Sequence, residues 1–323
     1  MCHLIYTDTF YMKRKWIRWV SWILLTPIIL FVILMVLLYV PPVQNLLRRE
    51  VTAYASKATG MQIQVERIDL RFPLNLLVRG VEVIQQPDTL LSLESLNVRV
   101  QAWPLIKGKV EVDEVTLSRV AVNSADLMEG MKIKGVLGRF FLQSHGVDLS
   151  NELAVINQVE LSDTHVQLLM NDTTTTPKDT TASAPINWKV ALHQLKLKNV
   201  SFSMQLPADS MRMAAHIGEA AIDDAQADLK NQYYDLKKFL LSGTSVSYDT
   251  GTAQPAEGFD ASHIAVRDIR IALDSLLYKG RDMNAVIREF TMNERSGLSV
   301  TSLTGRAYSN DSVICVPGLK LNT

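Results

Sequence analysis

Residues 19–40, WVSWILLTPIILFVILMVLLYV, run for 22 positions without a charge. A helix of about 20 apolar residues crosses the hydrocarbon core of a bilayer. Lys13, Arg14, Lys15 and Arg18 come just before the run, and such cations hold an N-terminus on the cytoplasmic side. Trp16, Trp19, Trp22 and Tyr39 stand near its two ends, where interfacial aromatics belong. Pro27 is tolerated in a membrane helix. A cleaved signal peptide has a shorter apolar core and small residues at its end, whereas this run ends in Leu-Tyr-Val-Pro-Pro. The expectation is an uncleaved, single-pass signal anchor in the plasma membrane. Residues 1–18 then form a cytoplasmic N-terminal segment, and everything beyond residue 40 lies across the membrane. Met12, directly before KRKW, is an alternative start to Met1.

Two cysteines, Cys2 and Cys315, fall on opposite sides of that membrane. They cannot pair within one chain, so no disulfide framework is expected. No apolar stretch precedes Cys2, which argues against a lipoprotein signal. The chain carries 33 basic and 33 acidic residues. Zero net charge without a basic block argues against nucleic-acid binding. A cytoplasmic segment of at most 18 residues leaves little room for signalling.

Residues 43–59 have helical spacing, with Val43, Leu46, Leu47, Val51, Tyr54 and Ala58 on one face and Gly60 as a stop. Residues 41–60 are therefore read as an amphipathic helix packed on the strands that follow. The alternative is a helix lying on the outer leaflet of the membrane.

From residue 61 the texture is that of strands, with apolar and polar residues alternating. One apolar spacing recurs, at offsets 0, 2, 5 and 7. It appears as Ile63, Val65, Ile68, Leu70; as Val110, Val112, Val115, Leu117, continuing to Val120 and Val122; and as Ala154, Ile156, Val159, Leu161. It returns as Val190, Leu192, Leu195, Leu197, Val200, Phe202 and as Ile264, Val266, Ile269, Ile271, with a weaker alanine-rich copy at Ala220, Ile222, Ala225, Ala227. These copies read as an irregular internal repeat, which points to an elongated architecture. On a straight strand the two-residue gap would turn the second apolar pair to the opposite face. A bulge or bend at each gap restores the face, and Asp113-Glu114, Ser118-Arg119, Lys198-Asn199 and Arg267-Asp268 are polar pairs suited to bends. A five-residue β-solenoid would need the pattern to be better sustained. The fold class expected is mainly β: a transmembrane helix, a short helix, then an elongated, coiled antiparallel sheet over 61–323 with one apolar face. Residues 173–185 (TTTTPKDTTASAP) are a low-complexity loop expected to be disordered. Residues 248–258 are a second linker, and 229–241 read as a short helix or a pair of strands.

The run G-M-Q-I-Q-V-E-R-I-D-L-R-F-P-L-N-L-L-V-R-G-V-E-V, then D-T-L-L-S-L-E-S-L-N-V-R-V, then W-P-L-I-K-G-K-V-E-V-D-E-V-T-L-S, follows the anchor and helix. In this order the segments resemble the N-terminus of the AsmA-like family, in particular its TamB-type translocation and assembly proteins. Gly60, Val65, Ile68, Leu70, Pro73, Gly80 and Val81 carry the likeness, extended by 88–91 and 107–110 and covering about residues 13–122. The resemblance implies an inner-membrane anchor and a periplasmic sheet folded lengthwise into an apolar groove. It also implies phospholipid transport between the two membranes of a diderm envelope, or outer-membrane protein assembly with an outer-membrane partner. TamB-type proteins are far longer, and this sequence stops within strand-like VPGLKLNT, so the expectation is a fragment, a truncated frame or a short member.

No chemical motif stands out. His3, His145, His165, His193, His216 and His263 form no metal-binding pair, and the chain has no G-x-S-x-G, P-loop or G-x-G-x-x-G. Asp223, Asp224 and Asp228 lack the spacing of a calcium loop and read as a solvated face. The expectation is therefore a protein without catalytic, cofactor or metal site. The candidate functional residues are apolar positions that would line a lipid groove: Val115, Leu117, Val159, Leu161, Leu195, Leu197, Ile269 and Ile271. The alternatives are a closed hydrophobic core made of the same residues, and a scaffold whose sheet edge pairs with a client strand.

Overall fold

The computed structural model describes residues 39–85, 88–106, 111–124, 130–148, 151–170, 187–310 and 312–323, together with Thr26 and Val36. Nearly all of the 19–40 run and all of 173–185 lie outside the described residues, so the anchor and the disordered loop remain sequence expectations. Among the described residues no helix is long and apolar enough to cross a membrane.

The first helix, α1 (Pro41–Thr59), has Pro at its first turn and closes on Gly60, whose φ of 70° is the left-handed conformation that a helix stop requires. Its expected apolar docking face is not the one used. Of the expected face only Val43 is half-buried; the other half-buried positions are Gln44, Arg48, Thr52, Ala55 and Ser56, a mainly polar stripe. Gln44 Nε2 donates to Leu70 O at 2.9 Å, Arg48 Nη1 to Glu66 O at 2.7 Å, and Ser56 Oγ accepts from Ile63 N at 3.1 Å. All three partners are backbone groups on the outward edge of strand β1 (Gln62–Arg71). An edge strand carries unpaired backbone groups that must find partners, and polar side chains supply them better than leucines. That requirement sets the helix's orientation.

The strands that follow are β2 (Asn75–Gln85), β3 (Asp88–Val100), β4 (Val112–Asn123), β5 (Met131–Asp148), β6 (Leu153–Met170), β7 (Lys189–Leu206) and β8 (Met211–Asp228). Then come β9 (Tyr233–Asp249), β10 (His263–Lys279), β11 (Asp282–Glu294), β12 (Ser299–Val300), β13 (Ser302–Ser309), β14 (Ile314–Cys315) and β15 (Lys320–Asn322). A five-residue helix, α2 (Ala102–Ile106), lies between β3 and β4. All the strands join one open sheet, β1 to β11 in chain order and then β13 and β14, with β12 on β11 and β15 on β13. Residues 229–232 are a turn and 233 onward is β9, so 229–241 form neither a helix nor a strand pair. The sheet is not wholly antiparallel as expected. β6 and β7 run parallel, from Leu153 beside Lys189 to Leu169 beside Gln205. A parallel pair needs a long crossover connection, and here the low-complexity segment stands in that connection.

The two-residue gaps of the apolar pattern line up across the sheet. Every ladder from β1–β2 to β7–β8 skips one opposed pair at the same level, between Val65–Val81 and Arg67–Arg79 at one end and between Val200–Ile217 and Lys198–Glu219 at the other. Gly80, Arg119, Asp163, Asn199, Gly243 and Asp268 occupy this line and all have left-handed φ, between 47° and 59°. A left-handed residue takes up one step of the pleat and returns the next apolar residue to its former face. The left-handed residues sit on β2, β4, β6, β7, β9 and β10, and because the ladders from β1–β2 to β7–β8 all skip their pair at this level, the register survives the change. A second line runs through Asp113, Asn157, His193, Asp224 and Lys237, with Asp224 left-handed.

The line also explains two glycines. A Cβ at Gly138 would sit 2.7 Å from Asp163 Cβ, and one at Gly218 would sit 2.9 Å from Gly243 O and 3.0 Å from Ser242 O. Asn199→Val should cost roughly 1–2 kcal/mol, since a branched side chain is strained at positive φ, while Asn199→Gly should leave stability near that of the parent. Gly218→Ala should also destabilise. Chemical denaturation of the three variants checks this, and a parental midpoint for Asn199→Val would show that the left-handed turn is dispensable.

Candidate functional site

Two rows of residues, matched strand by strand, define the most distinctive surface. One runs Ile68, Val78, Leu96, Leu117, Phe140, Leu161, Leu197, Ala220, Leu241, Ile271, Phe290. The other runs Leu70, Leu76, Val98, Val115, Leu142, Val159, Leu195, Ile222, Phe239, Leu273, Ile287. Every position in both rows is apolar. Successive side chains of a strand point to opposite faces, so rows two residues apart share one face. At about 4.8 Å per strand, the band crosses roughly 50 Å of sheet.

The other face differs. Its row beside the line of left-handed residues reads Arg67, Arg79, Ser95, Ser118, Arg139, Ser162, Lys198, Glu219, Ser242, polar at every position. Cross-strand ion pairs also decorate the sheet, among them Arg99–Glu114 at 3.2 Å, Arg119–Glu94, and Arg288–Asp274 at 3.4 Å. These are surface pairs and contribute little stability individually.

The structure brings seven of the eight expected groove residues into these two rows: Val115, Val159 and Leu195 in one, and Leu117, Leu161, Leu197 and Ile271 in the other. Ile269 falls outside the two rows, opposite Thr244 and next to the left-handed Asp268. All eight are half-buried. No second layer covers them among the described residues; α1 lies at the β1 edge and α2 is only five residues long. Nor do the described residues form a closed core. The buried apolar residues are Leu90, Leu206, Val300 and the alanines 154, 220, 272 and 285, and no large side chain is fully enclosed. A hollow of about 560 Å³ against β7–β11 is lined mostly from the other face, by residues such as Lys196, Lys198, Ser242, Arg270 and Arg288, with Leu197, Ala220, Leu241 and Ile271 between them, so it is not part of the apolar band.

The rows also contain residues that the repeat reading passed over, including Phe140, Leu142, Phe239, Leu241 and Phe290. The same spacing is written there, as Leu76, Val78, Val81, Val83 in β2, as Leu91, Leu93, Leu96, Val98 in β3, and as Leu236, Phe239, Leu241 in β9. The repeating unit is thus the single strand, and the longer, irregular spacing between clear copies arises because intervening copies are degenerate.

The polar residues singled out earlier scatter. His145, His165 and His193 are exposed on strands, His193 Nδ1 lying 3.1 Å from Asp224 Oδ1, and Ser201 Oγ lies 2.9 Å from His216 Nδ1. Asp228 joins Lys189 and Asn231 at a turn. Among the described residues no group of three His, Cys, Asp or Glu side chains is placed to hold a metal ion.

One polar cluster has a clear structural task. The linker between β9 and β10 folds around Asp260, whose Oδ2 accepts from Ala256 N at 3.0 Å and Oδ1 from Ser262 N at 2.9 Å, with His263 Nδ1 2.8 Å from Oδ2. His263 is buried at the start of β10, and its carbonyl accepts from Arg295 Nη2 at 3.1 Å. This clamp fixes where β10 enters the sheet. Hydrogen bonds from the Ala256 and Ser262 amides, then His263, lower the Asp260 pKa to about 2.

No protein-family model matches the chain, and no curated protein sequence matches it.

A carboxyl lowered in the folded state stabilises it above the unfolded pKa of about 3.9. The contribution is lost as pH falls through about 2. Acid should therefore loosen the linker between about pH 4 and pH 2, and Asp260→Asn should flatten that part of the stability profile. Unfolding midpoints measured across this range decide the matter; equal slopes in parent and variant would remove Asp260 from the explanation.

Proposed function

We propose that this chain is a membrane-anchored protein of the AsmA-like, TamB type, and that its apolar sheet face, rolled lengthwise into a groove, carries phospholipid between the inner and outer membranes. The observation that carries this reading is the pair of rows, apolar at every position from β1 to β11 and without a covering layer among the described residues. Apart from the buried Ala220, the row residues are only half-buried, and a sheet with one apolar face ordinarily buries it against another layer. Acyl chains meet that need without a specific polar pocket. Each methylene removed from water contributes about 0.8 kcal/mol. The uncharged 19–40 run and the resemblance over residues 13–122 supply the membrane part of the reading.

The strand-pairing scaffold is less well supported at one edge. The outward backbone groups Leu70 O, Glu66 O and Ile63 N on β1 already have partners on α1. A client strand would have to displace the helix or use the opposite edge.

A photoreactive amino acid placed at Leu161 or Leu197 of the full chain, incubated with phospholipid, should form lipid adducts; at Glu160 or Lys196, the neighbouring positions on the opposite face, it should not. Leu197→Asp should weaken loading about tenfold, since an unpaired polar group costs roughly 1–3 kcal/mol in apolar surroundings. Equal labelling on both faces would sink the groove, and adducts with a polypeptide would favour the scaffold.

A further inference from the structure

Helix α1 turns its polar stripe toward protein and leaves its apolar residues outside. Leu46 is 56% exposed, Leu47 40%, Val51 52% and Tyr54 77%. Helices on globular proteins normally do the reverse. A single exposed leucine needs no explanation, but four large apolar residues on three consecutive turns form a stripe that none of the described residues covers.

Two features indicate what covers the stripe. First, α1 begins at Pro41, immediately after the uncharged 19–40 run, and the end of that run is pinned beside the sheet: Tyr39 Oη donates to Pro73 O at 2.6 Å, in the β1–β2 turn. Wherever the run enters a bilayer, α1 starts at its surface. Second, exposed Arg49 borders the stripe at Leu46, and exposed Lys57 and Glu50, the sole acid of the helix, lie on the same outward side, which leaves that side net cationic. Cations bordering an apolar stripe suit a helix lying between headgroups and acyl chains, drawn there by anionic lipid.

We propose that α1 lies in the lipid interface of the membrane that residues 19–40 enter, with Leu46, Leu47, Val51 and Tyr54 turned into the acyl region. Its polar side then holds the β1 edge, and with it the first residues of both apolar rows, against the bilayer. The inference rests on the anchor reading and makes the β1 end of the face the point of lipid entry.

The test uses the full chain reconstituted in phosphatidylethanolamine–phosphatidylglycerol vesicles. With Cys2 and Cys315 replaced by Ser, an environment-sensitive fluorophore is attached through a single cysteine at Leu47, Val51 or Tyr54, or at the controls Asn45 and Lys196. Lipids carrying a nitroxide on the acyl chain should quench and blue-shift the three stripe positions and leave both controls unchanged. Equal quenching at Leu47, Val51 and Asn45 overturns the proposal, as does failure of the chain to stay with the vesicles. So does a blue shift that ignores the nitroxide lipid but disappears when unlabelled chain dilutes the labelled one, since a second copy would then cover the stripe.

The paired change Leu47→Asp with Val51→Asp separates this helix from the groove. It should abolish quenching and reduce lipid adducts at Leu197 when lipid is offered in vesicles, but not when it is offered in detergent micelles. Undiminished adducts from vesicles in this variant would overturn the entry role of α1. Stripe quenching without Leu197 adducts from micelles would uphold the helix and end the groove reading.

Discussion

A β-sheet satisfies its backbone hydrogen bonds within its own plane, which leaves both faces to be dealt with by other means. This chain rests on that fact. Among the described residues its ladders run from β1 through β11 and on to β14 without a second layer, so the pairing of neighbours, rather than a buried core, holds these strands in place. Side-chain chemistry then divides the two faces, with wholly apolar rows on one and a wholly polar row on the other. The division depends on register: one strand slipping by a single residue would send its apolar side chains to the wrong side.

The left-handed line makes that division compatible with long strands. Untwisted strands of seventeen or eighteen residues, such as β5 to β10, would form a flat ribbon, and sheets are not flat. Small or polar residues at the line, among them Gly80, Asp163, Asn199 and Gly243, adopt positive φ more readily than branched ones. Arg119 is the costly member, and its guanidinium is held by Glu94 on the neighbouring strand.

Much of this was legible in the sequence, because two-residue gaps in an apolar alternation have few physical solutions. Ser118-Arg119, Lys198-Asn199 and Arg267-Asp268 were recognisable as bends from polarity alone, and each contains a left-handed residue. The parallel pairing of β6 with β7 was not legible, since an alternating strand looks the same in either direction and the intervening low-complexity segment encodes only length. The docking face of α1 was misread for a different reason. Amphipathic patterning assumes that proteins attract leucine, but a sheet edge attracts hydrogen-bonding groups, so Gln44, Arg48 and Ser56 took the inner side. The row residues of β5, β9 and β11 were written in the same spacing as the others and were overlooked because degenerate copies such as Gly135 and Thr244 interrupt it.

The strand-by-strand character of the pattern has a consequence for how such a chain changes over generations. Because neighbouring ladders skip a pair at one common level, an extra hairpin that keeps this level could be spliced between two neighbours without altering the phase of any other strand, and would lengthen the sheet by about 4.8 Å per strand. Loss of one residue inside a strand has the opposite effect, since it puts half of that strand out of phase with both neighbours. An architecture of this kind tolerates duplication of whole strands far better than small deletions, so its length can be adjusted in discrete steps while its cross-section is conserved.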